Sequence, residues 1–281
     1  MQTLVFALLS MSCAAANDFV FKLYGRQRRP MGVYLAMIGI IWSLVFLVGR
    51  PFSNWLPNAA TIQWGTISGI FSITANLLLV RAFTAMNTTR GGHLRQVDTP
   101  LVLFDEKASF IRLTAIAAGA AAVILFSCPK ASCQTRHHFA LRYVIAASFL
   151  RAGMGLTYKA GLSSGADECG ILVINGIVWA VGGGLFCLVF ENFTWRISWN
   201  TLKFGFISGI LVCGIVGFLI LALKQGDASL VLPVTQMSFA LTAVFGIVLL
   251  NEQLTLNKFV CLFLAVVSVI LFGIKYMSKR E

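Results

Sequence analysis

The residues of this chain that could do chemistry are a few ionisable side chains inside long apolar runs. Asp18 is the only acid well inside such a run, and Lys22 follows four residues later on the same helix face. An ionisable group in lipid is costly and is therefore a functional candidate. Asp18 and Lys22 predict a site that couples proton or ion movement to solute binding. The alternative is an ion pair at the membrane surface.

Other polar and aromatic side chains in these runs could bind a small solute. Arg81 could hold an anionic group or extend along lipid to the membrane surface. The amides could contact a solute or join helices. The tryptophans could line a cavity or serve only in packing. The candidate solute-binding residues are Asn17, Trp42, Asn76, Arg81, Trp179 and Gln236.

The sequence carries no enzyme motif in the context that its chemistry needs. HExxH and a glycine-rich phosphate loop followed by lysine are missing, and no two carboxylates are paired inside an apolar run. GLSSG at 161–165 matches GxSxG, but it follows an apolar helical run and not the strand that this motif requires. The seven cysteines are scattered without a CxxC motif. We therefore predict no catalytic residues, no cofactor and no metal site, and we do not expect an enzyme.

The elements that position the candidate residues are membrane helices. The chain is 58% hydrophobic and only 11% charged, whereas soluble domains carry about 25% charged residues. The net charge is +12, and the basic residues lie between the apolar runs. This placement favours a role in orienting the chain in a membrane over nucleic-acid binding. These features predict an all-α, multi-pass integral protein of a cell membrane, inner or plasma.

The apolar runs at 228–250 and 257–275 are the clearest pair of membrane spans. About 20 apolar residues, each rising roughly 1.5 Å, cross a bilayer core, and the polar turn NEQLTLNK joins the two runs. Pro233 predicts a kink in the first run, one turn before Gln236. The earlier runs lie at 3–21, 31–49, 65–85, 111–128, 139–162, 170–190 and 204–223. The first run imitates a signal peptide, but its match in the second half predicts that it is retained.

The chain repeats itself. Three short matches occur in the same order with a slowly growing offset: GIIW at 39–42 with GIVW at 176–179, ISGI at 67–70 with 207–210, and DEKASFIR at 105–112 with NEQLTLNK at 251–258. Five segments in each unit would make the second unit enter the membrane from the opposite side. We therefore predict a ten-segment helical bundle of two inverted five-helix repeats.

The predicted boundaries follow from these matches. Residues 1–128 form the first repeat, 129–138 a linker and 139–275 the second repeat, and 276–281 form a polar C-terminal tail. The first repeat departs from the pattern near 87–104, where its fourth helix is short or degenerate. Three interpretations stay open: a truncated or re-entrant segment lined by protein, an error in the source sequence, or a nine-span protein.

The chain resembles the EamA-type transporters of the drug/metabolite transporter superfamily. The resemblance rests on ASLVLPVTQMSFALTAVFGIVLLNEQLTLNKFVCLFLAVVSVILFG and on the weaker FDEKASFIRLTAIAAGAAAVILF of the first half. It implies a ten-helix carrier that moves small metabolites by alternating access through a cavity between the halves.

These observations predict a secondary transporter of small organic metabolites, with proton coupling as an added possibility. The alternative is a non-transporting membrane scaffold or regulator left by degeneration of the fourth span. The expected partners are a small-molecule substrate and membrane lipid, without nucleic acid. The sequence leaves the oligomeric state open.

Overall fold

A computed structural model of the chain describes residues 2–25, 29–49, 57–86, 134–191 and 198–250, with short stretches between 259 and 267. In these ranges the regular secondary structure is entirely helical. The helices are α1 (Gln2–Gly25), α2 (Met31–Val48), α3 (Ala59–Met86), α4 (Gln134–Ser163), α5 (Glu168–Phe190), α6 (Trp199–Gln225), α7 (Ala228–Gln236) and α8 (Ser238–Leu250).

Four of the described helices, α1, α2, α5 and α6, are long and apolar enough to cross a membrane. Their outer faces carry large apolar side chains such as Val48, Val181 and Phe206, which are 84%, 56% and 59% exposed. Exposed apolar surface of this extent is typical of a helix that faces lipid. The chain is therefore an integral membrane protein, and the residues that the structure describes are helical wherever they form regular secondary structure.

One end of the bundle, here named the first face, is defined by hydrogen bonds between helix ends. Thr3 Oγ1 donates to the Gln225 carbonyl at 3.3 Å. Lys159 Nζ donates to the carbonyls of Leu223 and Gly226 at 2.7 and 3.0 Å, where it caps the C-terminal end of α6. The beginning of α1 therefore lies beside the ends of α4 and α6.

The beginning of α3 also lies at the first face. Asn58 Nδ2 donates to the Gly165 carbonyl at 3.1 Å, and the Asp167 amide donates to Thr61 Oγ1 at 2.8 Å. Gly165, in the turn between α4 and α5, has a φ of 74°, a left-handed conformation that glycine adopts without steric cost. The turn thus places the beginning of α5 at this face.

The opposite end, here named the second face, joins α1, α2, α5 and α6. Tyr24 near the end of α1 hydrogen-bonds Thr201 near the beginning of α6. The Glu191 carboxylate accepts from the amides of Met31 and Gly32 at 2.6 and 3.1 Å. These amides have no acceptor within the first turn of α2. Glu191, at the end of α5, therefore caps the beginning of α2.

The two faces give each described helix a direction. Helices α1, α3 and α5 run from the first face to the second, and α2, α4 and α6 run back. Each of the first three helices is therefore antiparallel to its predicted counterpart, α4, α5 or α6. Equivalent helices also make equivalent contacts. Helix α1 packs on α6 as α4 packs on α3, and α2 packs on α6 as α5 packs on α3. Helices α2 and α5 pack on each other at the centre.

The glycine contacts are equivalent between the two halves in the same way. Each GxxxG glycine of α3 and α6 packs against a branched or flexible side chain, and the pairs are Gly65 with Ile174, Gly69 with Val178, Gly205 with Met37 and Gly209 with Ile41. The glycine pairs differ by 140 residues and their partners by 137. Because glycine has no side chain, these helices can approach each other closely.

The structure differs from the sequence-based boundaries in three places. Helix α3 begins at Ala59 rather than 65, and α4 begins at Gln134, inside the predicted linker. The α4 extension, QTRHH, is polar, as expected for helix that projects beyond lipid, whereas the α3 extension, AATIQW, mixes apolar and polar residues. The run at 228–250 is two helices that break at Met237, one turn after Pro233 removes a backbone donor. The predicted degenerate span at 87–104 and the tail at 276–281 lie outside the described residues, so the ten-segment arrangement stays a prediction.

Candidate solute-binding site

The carboxylate of Asp18 lies at the helix break. Asp18 is half-buried on α1, and its Oδ2 accepts a long hydrogen bond of 3.5 Å from Ser238 Oγ. Ser238 is the first residue of α8, so a negative charge meets the positive end of a helix that begins inside the bundle. Thr242 Oγ1, one turn later, donates to the Ala15 carbonyl at 3.3 Å and holds α8 against α1.

The guanidinium of Arg151 interacts electrostatically with this carboxylate. Arg151 projects from α4, and its Nη2 donates to Asn76 Oδ1 on α3 at 3.2 Å. Asn76 Nδ2 donates to the Ser72 carbonyl at 2.9 Å, which fixes the orientation of the amide. Arg151 also attracts the Asp18 carboxylate electrostatically.

These side chains form one group, here named the central cluster: Asp18, Asn76, Arg151 and Ser238. They come from α1, α3, α4 and α8. Asp18, Asn76 and Arg151 lie well inside their helices, and Ser238 begins α8. In the described part of the chain, no direct ion pair joins Asp18 to Arg151. The cluster thus holds two opposite charges near each other without neutralising them by contact.

The two predicted tryptophans meet beside the cluster. The rings of Trp42 and Trp179 are both buried and pack edge to face, with centroids 5.7 Å apart and planes at 64°. Trp179 Nε1 donates to Ser72 Oγ at 2.9 Å, and the Ser72 carbonyl accepts from Asn76. Trp179 is therefore linked to the central cluster through a single serine.

The comparisons with known proteins assign the second half of the chain. The profile of the EamA-like transporter family matches residues 138–274. Those residues belong to the EamA-like transporter family. The match confirms the resemblance predicted from sequence, and this family belongs to the drug/metabolite transporter superfamily.

Solved structures support the fold of the chain. The chain matches 25 chains of solved structures. In one crystal structure 11% of residues are identical, 99% of each chain is covered and the TM-score is 0.65. At that identity the likeness concerns the fold alone. None of the curated proteins matches the chain.

The remaining predicted residues of the EamA-like protein are placed as follows. Asn17 is buried, with 8% exposure, and its Oδ1 has no hydrogen-bond partner among the described residues. Lys22, Arg81 and Gln236 lie on described helices, but their side chains lie outside what the structure describes. The pairing of Asp18 with Lys22 therefore stays a prediction.

Sequence reasoning missed Arg151. The same signal that selected Arg81, a charged residue inside an apolar run, was available in the run at 139–162. What the run could not reveal is the partner, because Arg151 bonds Asn76 and attracts Asp18 only when three helices pack together.

A second polar layer, centred on the in-span amide of Asn175, lies on the first-face side of the cluster. Asn175 Nδ2 donates to Tyr158 Oη at 2.7 Å and to Ser68 Oγ at 3.0 Å, and all three side chains are buried. Tyr34 hydrogen-bonds Ser208, the counterpart of Ser68, on the second-face side.

Across the described residues, no group of three His, Cys, Asp or Glu side chains is placed to hold a metal ion.

Proposed function

We propose that this EamA-like protein is a secondary transporter that moves a small organic solute by alternating access. The observation that carries the proposal is the central cluster, in which four helices bring an acid, a base, an amide and a hydroxyl to one place. Charges inside a membrane bundle are costly and are retained for transport or proton relay. A broken helix beside them is the usual setting of a transporter binding site.

The solute path lies between two five-helix units at 1–128 and 139–275. This division is supported by the opposite directions of counterpart helices and by the exchanged glycine contacts. Asp18 belongs to the first unit and Arg151 to the second. A rocking motion of one unit against the other would therefore change the distance between the two charges and open the site to alternate faces.

The solute-contacting residues are Asn76 and Arg151 at the cluster, with Asn17, Trp42, Arg81, Trp179 and Gln236 around it. The buried, unpartnered Oδ1 of Asn17 supports its place in this set, since a buried acceptor without a donor is costly. Asp18 is the coupling carboxylate, with Lys22 as its modulating neighbour.

Reconstituted transport tests the proposal. Purified protein in proteoliposomes is assayed for uptake and efflux across a broad metabolite panel, with and without a pH gradient. We expect transport that the gradient accelerates, and we expect Asp18→Asn to abolish that acceleration. Glu168→Gln is the matched control, because this acid pairs with Lys224 at the first face, away from the cluster. Absence of transport for every solute would instead favour the scaffold alternative.

A further inference from the structure

The two faces of the bundle differ in charge. At the first face, three acids lie in or beside the connections of α4 with α5 and of α6 with α7: Asp167, Glu168 and Asp227. At the second face, the connections at 26–30 and 191–198 contain four arginines and one acid, Glu191. The Glu191 carboxylate already accepts hydrogen bonds from the amides of Met31 and Gly32. These two connections therefore carry positive charge that their own acid does not balance.

Two basic side chains at the second face lack the kind of partner that basic side chains have at the first face. At the first face, Lys224 pairs with Glu168, and Lys159 donates to carbonyls at the end of α6. At the second face, Arg29 and Lys203 make no hydrogen bond and no ion pair within the part of the chain that the structure describes. An anion from outside the protein would supply what these two cations lack.

Aromatic rings hold the two cations beside the beginning of α6. The Arg29 guanidinium carbon lies 5.8 Å from the centroid of the Tyr24 ring and 5.6 Å from that of the Phe204 ring. Lys203 Nζ lies 5.4 Å from the centroid of the Trp199 ring. Trp199, Lys203 and Phe204 all belong to the first two turns of α6. The two cations therefore share one region, here named the cationic edge: Arg29, Trp199, Lys203 and Phe204.

A ring face orients a cation but does not neutralise it, whereas a carboxylate or phosphate accepts short, charge-assisted hydrogen bonds. Nη1 of Arg29 is buried and has no acceptor, so this cation has lost water there without gaining an anion. The remainder of the site is not enclosed, because Arg29 is only half-buried and Lys203 is exposed. An anion can therefore approach both cations from outside the bundle.

The position of the cationic edge indicates which anion it meets. It lies at one end of the membrane-crossing helix α6, where Trp199 is 69% exposed, as is typical of a tryptophan at the level of the lipid headgroups. Anionic lipids attract basic residues at this level. We propose that the cationic edge binds the headgroup of an anionic phospholipid, whose phosphate accepts hydrogen bonds from Arg29 and Lys203. This inference does not depend on the proposed transport function.

Lipid titration of the purified full-length protein tests the proposal. The protein in nonionic detergent is titrated with phosphatidylglycerol, phosphatidylcholine or glycerol 3-phosphate, and binding is followed as thermal stabilisation. Phosphatidylcholine has the phosphate without net negative charge, and glycerol 3-phosphate has the anion without a membrane anchor. We expect phosphatidylglycerol alone to stabilise the protein strongly. Equal stabilisation by phosphatidylcholine would overturn recognition of charge, and equal stabilisation by glycerol 3-phosphate would overturn the lipid in favour of a soluble phosphate.

Variants assign the two cations. Arg29→Gln and Lys203→Gln should each weaken phosphatidylglycerol binding by about fivefold, as expected for one basic residue at a membrane surface. Arg29→Lys should retain most of the affinity. Lys224→Gln at the first face is the matched control and should leave it unchanged, because Lys224 pairs with Glu168. Lys203 is exposed, so its variant keeps the fold even where Arg29→Gln disturbs ring packing. Unchanged affinity in Lys203→Gln and in a folded Arg29→Gln would overturn the site.

Fluorescence places the lipid. Energy transfer from tryptophan to dansyl-labelled phosphatidylglycerol, added at one equivalent, should fall more in Trp199→Phe than in Trp64→Phe. Trp64 is the matched control because it lies in the first two turns of α3 at the first face. Equal losses in the two variants would show that the lipid does not select the cationic edge.

Discussion

At the scale of single residues, the buried polar atoms that lack a hydrogen-bond partner are informative. Among the described residues, four buried side-chain atoms lack a hydrogen-bond partner: Asn17 Oδ1, Arg29 Nη1, Trp42 Nε1 and Asn175 Oδ1. Buried polar groups are usually paired. Asn17 and Trp42 are also two residues that the sequence selected as solute contacts, and that role stays a prediction.

Trp42 shows how the two halves have diverged. Its counterpart Trp179 donates to Ser72, whereas the residue that corresponds to Ser72 on α6 is Val212. Ser72 lies three residues after Gly69, which contacts α5, and Val212 lies three residues after Gly209, which contacts α2. Val212 therefore lies where an acceptor for Trp42 would be needed.

Replacing Val212 with threonine should supply that acceptor. Threonine keeps the shape of valine and adds a hydroxyl, which we expect to bond Trp42 Nε1. The matched control is Val216→Thr, one turn along the same buried helix face, where the new hydroxyl meets no known free donor. The free energy of unfolding in detergent should be about 1 kcal/mol higher for Val212→Thr than for Val216→Thr. Equal losses in both variants would show that Trp42 is not short of an acceptor.

The candidate site was only partly predictable from sequence. Asp18 was found because one acid inside an apolar run is conspicuous, and Asn76 because amides in lipid need partners. Arg151 was missed because the run at 139–162 gives no indication of which neighbour an arginine meets. The link from Trp179 through Ser72 to Asn76 depends on the packing of α3 against α5. Such contacts between helices are not encoded in the periodicity of either one.

At the scale of elements, the crossing of α2 and α5 determines how closely the two halves approach. A methyl group on Gly39 would lie 2.3 Å from the Ala180 backbone nitrogen, and one on Gly183 would lie 2.4 Å from the Ala36 nitrogen. Backbone cannot move aside as a side chain can. These glycines therefore serve to bring two helices into backbone contact.

Adjacent glycines of α5 allow a controlled test of this packing. Gly183→Ala should destabilise the protein by about 2 kcal/mol or more, because the methyl group meets α2 backbone. Gly184→Ala should be neutral or stabilising by up to about 1 kcal/mol, since nothing lies within 4 Å of its methyl position and alanine favours helix. Thermal unfolding monitored by size exclusion would compare them. A similar melting temperature for both variants would contradict the close crossing.

Helix positions were more predictable than helix breaks. The apolar runs located α1, α2, α5 and α6 to within a few residues of their observed ends. The break at Met237 was expected only as a kink, because Pro233 removes one donor but does not reveal whether the next turn will re-form. In the structure the chain restarts at Ser238, which hydrogen-bonds Asp18. The break at Met237 thus coincides with a contact between α8 and α1.

At the scale of the whole molecule, the sequence repeat predicts an arrangement that single helices cannot reveal. The offset of about 140 residues relates helices that run in opposite directions between the first and second faces. The family match at 138–274 falls on the predicted second repeat. The described helices of the first half supply the opposing surface, including Asp18, so each half is expected to contribute to one shared site.

The opposite directions predict that equivalent positions lie on opposite sides of the membrane. Asn58 precedes α3 at the first face, and its counterpart Ser198 precedes α6 at the second; both are exposed. In a variant whose seven cysteines are replaced, single substitutions Asn58→Cys and Ser198→Cys should react with an impermeant maleimide from opposite sides of sealed vesicles. Ser164→Cys, in the exposed turn at the first face, should follow Asn58→Cys. Labelling of all three from one side would rule out the inverted arrangement, because a parallel repeat keeps equivalent positions together.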